Sequence, residues 1–213
     1  MLTHSQQKRA WEEEHKKPKV LLQMDSSEPS SGVTKFYEWL VSGDYPRSKG
    51  LEICCGKGRN IIWLATQGVE AVGLDFSASA TQEAAKRAKA QNIEAKFVSH
   101  DVTNSFPVPP ASQDFVIDCF GSTDIESLNG RRAALRNIIR VLKPGGYLLV
   151  YLLSTDDEFH KKMIGKYPGP DQGSFIHPVN GKYEKAFTEK EVKKFYGELD
   201  LTALERIPKK AVF

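Results

Sequence analysis

The sequence lacks several features that define large classes of proteins. It has no run of about 18 apolar residues, so no membrane span is predicted. Its 30 Lys and Arg and 27 Asp and Glu are interleaved and give a net charge of only +3, which argues against a nucleic-acid-binding surface. The N-terminus lacks the apolar core of a secretion signal, and the cysteines number only three, so we expect a protein of the reducing cytoplasm.

One stretch has the pattern of a nucleoside site. Residues 50–60 (GLEICCGKGRN) indicate an apolar strand, a glycine-containing turn and the start of a helix, and the next strand ends at Asp75. Gly56 and Gly58 have no Cβ, so a ligand can lie against the backbone there. Free amides at the start of the helix can face a polar group, and the Asp75 carboxylate can accept hydrogen bonds from two ribose hydroxyls.

Two cofactor classes use this geometry, and the third glycine position separates them. A dinucleotide site requires G-x-G-x-x-G, so that the pyrophosphate sits on the helix N-terminus. Counted from Gly56 and Gly58, the third position holds Ile61. Because the sequence also has no readable catalytic dyad, an NAD-dependent oxidoreductase is disfavoured. An S-adenosylmethionine site contains no pyrophosphate and tolerates the bulk of Ile61.

Residues 52–58 (EICCGKG) fit the pattern acid-apolar-Gly-Cys-Gly-x-Gly, with Cys54 in place of the first glycine. In this stretch the chain resembles the class I S-adenosylmethionine-dependent methyltransferases. More narrowly, residues 56–60, 63–65 and 73–77 look like the small soluble branch that includes tellurite-resistance and thiopurine-type enzymes. The resemblance covers roughly residues 30 to 207. It specifies the cofactor and the fold but not the methyl acceptor.

The resemblance implies an α/β fold with a three-layer, doubly wound, Rossmann-like and mostly parallel sheet. Alternating strand and helix patterns over residues 50–153 predict the same architecture. We expect residues 1–32 to form an N-terminal helix and connector that act as a lid, and residues 33–213 to form the S-adenosylmethionine-binding domain. The elements expected later in the chain are a long loop at 165–187, a helix starting at Thr188, a sixth strand at 199–207, and a last antiparallel strand at 211–213 that is short or missing.

The resemblance also implies which residues contact the cofactor. Asp75 is expected to bind the ribose, Glu52 the amino end of the methionine moiety, and Arg59 its carboxylate. Phe76 is expected to stack on the adenine and Asp101 to bind the adenine amino group. Structural roles stay open for these residues, such as a helix cap for Asp75 and core packing for Phe76. The full predicted set is Glu52, Cys54, Gly56, Gly58, Arg59, Asp75, Phe76, Asp101, Val102 and Cys119.

The acceptor site is expected beyond the fourth strand, at residues 119–124, under the N-terminal segment and the 165–187 loop. Methyl transfer releases a neutral thioether, so positioning and desolvation can supply most of the rate. Asp124 is the first candidate for an acid–base or orienting role, with a helix N-cap as its structural alternative. The weaker candidates are His160 and His177, with Trp11, Tyr37 and Tyr183 as possible pocket lining.

The three cysteines are expected at one edge of the sheet, since the first and fourth strands are neighbours in this fold. Cys54 or Cys55 would then lie near Cys119, and three thiols can bind a soft metal or form a regulatory disulfide. The alternative, which we favour, is that buried cysteines act as small apolar residues. No metal site is therefore predicted.

The function that these features favour is methyl transfer from S-adenosylmethionine to a small molecule. No Asn/Asp-Pro-Pro-aromatic motif follows the fourth strand, which argues against a nucleic-acid acceptor. A missing last strand would leave an unpaired sheet edge, so a monomer and a homodimer are both open. The alternative function is a methyltransferase-like module that binds the cofactor, or nothing, and acts by binding a partner. Cys54 and the short C-terminus favour this alternative.

Overall fold

The structure is a computed structural model, and it describes residues 3–22 and 25–205. Five parallel strands form its central sheet: β1 (Lys49–Ile53), β2 (Glu70–Asp75), β3 (Lys96–Ser99), β4 (Gln113–Cys119) and β5 (Leu142–Tyr151). Their order across the sheet is β3-β2-β1-β4-β5. At the carboxyl edge, Ile53 pairs with Leu74 of β2 and with Asp118 of β4. The predicted doubly wound, mostly parallel sheet is thus confirmed.

Helices connect these strands and cover both faces of the sheet. They are α1 (His4–Lys16), α2 (Ser31–Ser42), α3 (Arg59–Thr66), α4 (Ala78–Ala90), α5 (Gly121–Asp124), α6 (Leu128–Val141), α7 (Glu158–Lys166) and α8 (Glu189–Phe195). Two buried apolar clusters lie on opposite faces, one against α2 and α3 and the other against α6. No helix in the described part of the chain is both long and apolar enough to span a membrane.

The sequence of strand β4 is almost wholly apolar because both faces of the strand are covered. Phe115 and Ile117 belong to the cluster on the α2 and α3 face, whereas Val116 belongs to the cluster on the α6 face, and all three are fully buried. Successive side chains of a strand point to opposite faces, so a strand that is covered on both sides needs apolar residues at every position.

The prediction of a long loop at 165–187 is wrong. This segment contains β7 (Ser174–Ile176) and β8 (Tyr183–Phe187), which pair antiparallel, and β8 also pairs with β6 (Leu153–Ser154) in a separate three-stranded sheet. Of the glycines that favoured a loop, Gly165 lies in α7, whereas Gly173 and Gly181 lie next to the short strands with positive φ angles of 75° and 71°. Strands of three and five residues are too short to show a clear period of two in the sequence.

The sixth strand predicted at 199–207 is also absent as far as the structure describes it. Residues 199–205 form no strand, and residues 201–205 are all exposed. The last two residues of that prediction, and the closing strand predicted at 211–213, lie outside the described residues. The capped helix predicted from Thr188 is confirmed, because the Thr188 hydroxyl accepts from Glu191 N and the Glu191 carboxylate accepts from Thr188 N.

Candidate active site

The turn between β1 and α3 presents its backbone at the carboxyl edge of the sheet. Gly56 and Gly58 have φ angles of 53° and 77°, in the left-handed region that glycine adopts most easily. A Cβ on Gly58 would lie 2.6 Å from the Phe97 ring and 2.8 Å from Ala84 Cβ. The glycine is therefore required for the turn to pack against β3 and α4.

Cys54, which departs from the glycine pattern, has the same backbone conformation, with a φ angle of 53°. A left-handed backbone costs a residue with a side chain roughly 1–2 kcal/mol. The thiol lies in the space that Gly121 leaves open, because a Cβ on Gly121 would lie 3.1 Å from Cys54 Sγ. The backbone explains why glycine is usual at this position, and Gly121 at the start of α5 explains why a cysteine fits.

Asp75 lies at the end of β2 and faces the glycine turn, as predicted. Its Oδ2 accepts a hydrogen bond from Gly56 N and its Oδ1 accepts one from Ser77 N, each at 2.8 Å. Burial raises the pKa of Asp75 to about 6, although the two amide bonds oppose this shift. Each carboxylate oxygen can accept further bonds, so Asp75 keeps the capacity to bind hydroxyl groups.

Glu52 is buried beside Asp75, on strand β1. Asn60 Nδ2 donates to its Oε1 at 2.6 Å, whereas its Oε2 is buried without a hydrogen-bond partner among the described residues. Burial raises the pKa of Glu52 to about 8, against the Asn60 bond. A buried carboxyl oxygen without a partner is costly. This orphaned oxygen and the glycine turn fit the amino end of a nucleoside cofactor such as S-adenosylmethionine.

Arg59 and Cys119 meet around Ser30, a residue that the sequence analysis missed. Arg59 Nη2 donates to Ser30 Oγ at 2.7 Å, and Cys119 Sγ lies 3.4 Å from the same oxygen. Ser30 N donates to Asn60 Oδ1 at 2.8 Å. The segment before α2 is thus attached to α3 and to the end of β4.

Asp101 and Phe76, predicted at the adenine end, are covered by α1. Asp101 accepts from His4 Nε2 at 2.6 Å and lies 3.3 Å from Lys8 Nζ, which is also 5.6 Å from the centre of the Phe76 ring. Burial opposes ionisation of Asp101, but hydrogen bonds from His4 and Thr103 hold the pKa of its carboxyl well below the usual range. Val102 is buried in the apolar cluster of the α6 face.

Helix α1 also reaches the ribose end of this groove. Ser77 Oγ donates to Glu12 at 2.5 Å, and His15 lies against Gly56, because a Cβ there would be 3.4 Å from His15 Cε1. Glu14 fixes the chain after the helix by accepting from three successive amides, those of residues 19–21. The polar sequence of α1 predicted a helix but contained no signal for these contacts.

On the other side of the edge, α5 contains Asp124. Gln7 Nε2 donates to its backbone oxygen at 2.8 Å, while its half-buried carboxylate has no hydrogen bond or ion pair with any described residue. Burial, and then the charge of Glu184, raise the pKa of Asp124. The alternative role as a helix N-cap is wrong, because Ser127 caps α6 with a hydrogen bond from Gly130 N.

Asp118, at the end of β4, was not among the predicted site residues. It is fully buried and accepts from Ser122 N at 2.9 Å, from Ser122 Oγ, and from Tyr196 OH at 3.4 Å. Its place inside an apolar run made it look like part of the strand alone. Its contacts anchor α5 to β4 and to the end of α8.

The weaker candidates are divided between the edge and other parts of the fold. Trp11 lies at the edge, on α1, and His177 lies nearby, in the turn before β8. Tyr183 is held by Arg131 and Asp171, which marks it as structural. The remaining two are elsewhere: Tyr37 OH donates to the backbone of Gln67, and His160 Nδ1 contacts the backbone of Ser154.

The three cysteines do not form one cluster of thiols. Cys54 packs with the α6-face cluster, while Cys55 and Cys119 pack with the opposite one, and all three thiols are free. No group of three or more His, Cys, Asp or Glu in the described ranges is arranged to hold a metal ion. Burial raises the pKa of all three thiols, that of Cys119 to about 12, so they are poor nucleophiles.

The chain is similar to known methyltransferases. Residues 51–146 match the family described as a methyltransferase domain. The chain is 36% identical over 110 residues to the O-methyltransferase resE of Aspergillus sclerotiorum, a match that covers 50% of the chain and 40% of that protein. It is 28% identical over 163 residues to a demethylmenaquinone methyltransferase of Renibacterium salmoninarum, covering 75% of the chain and 56% of the relative. The chain therefore spans about half the length of these relatives.

Among solved structures, an S-adenosylmethionine-dependent methyltransferase of Methanosarcina mazei has the same fold. The TM-score is 0.66 at 23% identity, and the match covers 74% of the chain and 82% of that structure. At this identity the likeness concerns the fold alone.

Proposed function

We propose that the chain is a class I methyltransferase that transfers a methyl group from S-adenosylmethionine to a small-molecule acceptor, since residues 51–146 match a methyltransferase domain and the fold is that of a solved methyltransferase. The observation that carries the proposal is the pair of buried carboxyl groups on either side of the glycine turn. Asp75 faces the turn from β2, and Glu52 has an orphaned oxygen on β1. A ribose and an amino group are the ligand parts that these two carboxyls suit.

In this proposal the cofactor supplies an electrophilic methyl group on a positively charged sulfur. Asp75 accepts hydrogen bonds from the ribose hydroxyls, and Glu52 accepts one from the amino group. Gly56 and Gly58 give the ligand access to the backbone, Phe76 lies against the adenine, and the further contacts are Cys54, Arg59, Asp101, Val102 and Cys119. The protein need only hold the acceptor in line and exclude water, because a thioether leaves without a proton.

Residues 1–32 act as a lid in this proposal. Helix α1 contacts Asp101 through His4 and Ser77 through Glu12, so it covers the adenine and ribose ends of the groove. The helix must move away for the cofactor to enter and can close again over it. Residues 33–213 then form the domain that binds the cofactor.

The acceptor is proposed to be a small molecule bound beside Asp124. Two matched relatives are named for O-methyl transfer and for demethylmenaquinone, which supports small-molecule chemistry for this chain as well. The Asp124 carboxylate is half-buried and has no bond to the chain where the structure describes it, so it can receive a proton from the acceptor or orient it. Its raised pKa favours the first of these roles.

Calorimetric titration with S-adenosylmethionine, S-adenosylhomocysteine and NAD tests the cofactor. We expect micromolar binding of the two sulfur compounds and none of NAD. Asp75→Ala removes the two proposed charge-assisted hydrogen bonds to the ribose hydroxyls, each worth about 1.5–3 kcal/mol, and should weaken binding by roughly 100-fold to 10,000-fold. Asp114→Ala is the matched control, because Asp114 is a buried carboxylate at the opposite edge that also accepts a backbone amide. Binding of NAD alone, or equal losses in the two variants, would contradict the proposal.

One observation favours a second candidate, a regulatory module without catalysis. The chain's own groups already bond Asp75 and Asp101, and α1 lies on the groove that the cofactor would use. A module whose groove α1 keeps closed would bind neither sulfur compound in the same titration, and a module that binds the cofactor without catalysis would form no S-adenosylhomocysteine with any acceptor. Such a result would shift the search from acceptors to protein partners.

A further inference from the structure

Lys182 and Lys185 of the β7–β8 hairpin are both buried, but their ammonium groups differ in hydrogen bonding. Lys185 lies over the Phe187 ring, donates to Gln172 O at 2.6 Å and pairs with Glu191 at 3.1 Å. Lys182 is fully buried over the Trp11 ring, 3.6 Å from its centre. Its nearest carboxylate, that of Glu184, is 3.7 Å away, and its Nζ has no hydrogen-bond partner in the described part of the chain.

An ammonium group without an acceptor is expensive to bury, and such a group in a native fold needs an explanation. The cation–π contact with Trp11 and the long ion pair with Glu184 compensate part of this cost. Neither supplies an oxygen at hydrogen-bond distance. Lys185, on the same hairpin, shows that the fold can provide such an oxygen where the lysine is structural.

Two more buried polar atoms without partners lie beside Lys182, on one face of α1. They are Trp11 Nε1 and His15 Nδ1, and the two rings are 5.8 Å apart. An ammonium and an indole N–H can only donate hydrogen bonds. Burial lowers the pKa of His15 to about 4, so at neutral pH this ring is uncharged. The groups without partners here are thus mainly hydrogen-bond donors. A ligand oxygen with negative charge would satisfy them.

The same place adjoins the proposed acceptor site. A single amide, Gln7 Nε2, donates to Asp124 O at 2.8 Å and to Tyr183 O at 2.9 Å. Tyr183 is the neighbour of Lys182 in sequence, so α5 and the Lys182 turn are joined through α1. The charge of Lys182 favours the ionised form of Asp124, although burial and the charge of Glu184 outweigh it and raise the pKa of this carboxyl.

We propose that Lys182 binds the methyl acceptor, and that this acceptor is an acidic hydroxyl compound, a phenol or an enol, which is methylated on oxygen as its anion. This inference rests on the proposed function. The hydroxyl proton passes to the Asp124 carboxylate. The oxygen lone pair then forms a C–O bond to the methyl carbon as the C–S bond breaks, and the C–S electron pair stays on sulfur. The anionic oxygen and the sulfonium are both neutralised, while Lys182 keeps its charge.

Two chemical arguments favour an acidic hydroxyl over other acceptors. A protonated amine would be repelled by Lys182 and would leave the indole N–H and the ammonium without acceptors. A carboxylic acid is already ionised at neutral pH and has no need of the nearby carboxylate of Asp124. A hydroxyl needs both groups, because it must lose a proton and then be held as an anion.

The test uses 7-hydroxycoumarin, whose neutral and anionic forms absorb at different wavelengths, with 7-methoxycoumarin and 7-aminocoumarin as matched probes. The full chain is titrated with each probe, with and without S-adenosylhomocysteine. We expect the bound hydroxyl probe to ionise about one pH unit lower than the free probe, since an opposite charge at short range shifts a pKa by about 1–3 units. It should also bind about tenfold more tightly than the methoxy probe.

The lysine variants decide whether Lys182 causes these effects. Lys182→Gln and Lys182→Met should abolish the ionisation shift and the tenfold preference, and Lys182→Arg should keep part of both. Lys185→Gln is the control, because it removes a buried lysine from the same hairpin and should lower the Tm but leave the probe results unchanged. Circular dichroism checks the fold of each variant.

The proposal is overturned by a preference for the amino probe, by failure of all three probes to bind, or by a shift that persists in Lys182→Gln. Calorimetry with S-adenosylhomocysteine separates this failure from that of the proposed function. If the homocysteine compound binds both the wild type and Lys182→Gln while the probes show no Lys182 effect, only the acceptor assignment falls. If it does not bind the wild type, the methyltransferase proposal falls first.

Discussion

The cofactor half of the sheet edge, formed by the ends of β1, β2 and β3, is built from segments that follow one another along the chain. The acceptor half, formed by α5 and the β7–β8 hairpin, is joined through α1, which lies far away in sequence. In the first half Gly56 N donates to Asp75, only 19 residues on. In the second, Gln7 bonds Asp124 and Tyr183 across 117 and 176 residues. The glycine turn and Asp75 are thus fixed by a local contact, whereas α5 and the hairpin are joined by long-range polar contacts.

The largest effect is expected in the cofactor half, at Gly58. Gly58→Ala combines a left-handed backbone, which costs roughly 1–2 kcal/mol, with overpacking against Phe97 and Ala84, which costs about 1–3 kcal/mol. We expect the free energy of unfolding in urea to fall by about 3–4 kcal/mol. Gly68→Ala is the matched control, because Gly68 has a φ angle of 84° but no atom within 4 Å of an added Cβ. Equal losses in the two variants would mean that backbone conformation alone makes Gly58 necessary.

In the acceptor half the corresponding position is Gln7. Gln7→Ala removes the acceptor of Tyr183 N, at 2.8 Å, and the donor that bridges Asp124 to the hairpin. A buried amide left without a partner costs about 1–3 kcal/mol, so hydrogen exchange should speed up in α1 and the hairpin by that free energy. The amides of α3 and α4 should exchange at the same rates as in the wild type.

Gln6→Ala is the control for Gln7, because Gln6 lies next to it in α1 and contributes to the exposed capping box with Thr3. Loss of that box should cost about 1 kcal/mol and should leave the hairpin unchanged. If exchange in α3 and α4 rises with Gln7→Ala as well, the two halves unfold as one unit, and the distinction between them fails.

The same difference explains how much the sequence could predict. The glycine turn, Asp75 and the parallel sheet follow from a local motif and from regular periods, and the structure places them as expected. Gly121 and Ser30 were missed, because their roles depend on Cys54 and Arg59, which reach them only through the fold. Each partner is visible in the sequence, but nothing along the chain indicates that the two will meet.

The acceptor half could be predicted far less well. Strand β7 has only three residues, so its period of two does not show in the sequence, which predicts a loop where the structure has a hairpin. Lys182 looks like an ordinary surface lysine until Trp11 covers it. Its burial results from the docking of α1, a helix whose sequence is polar on most positions. The docking of α1 depends on single hydrogen bonds between residues far apart in the chain, and these cannot be predicted from amino-acid composition.

The smallest effect concerns the pH dependence of α1, which spans both halves. His4 donates to Asp101 at the cofactor end and contacts Glu126 at the acceptor end, and Lys8 lies on the same side. Burial lowers the pKa of His4, but hydrogen bonds and charge from the two carboxylates outweigh it and raise the pKa above 6.5. A raised pKa in the docked state means that the stabilisation is complete below pH 6.5 and is lost as the pH rises through the docked-state value.

Because His4 is 41% exposed, solvent screening should limit this stabilisation to less than about 1 kcal/mol. Hydrogen exchange of the α1 amides, corrected for the intrinsic rate, should therefore show slightly weaker protection above neutral pH. Asp75 and Glu52, with pKa values of about 6 and about 8, also titrate in this range, so the effect of His4 is the difference between the wild type and His4→Gln. If the protection of α1 in His4→Gln changes with pH as it does in the wild type, titration of His4 does not affect the docking of α1. The helix would then be held mainly from the acceptor half through Gln7.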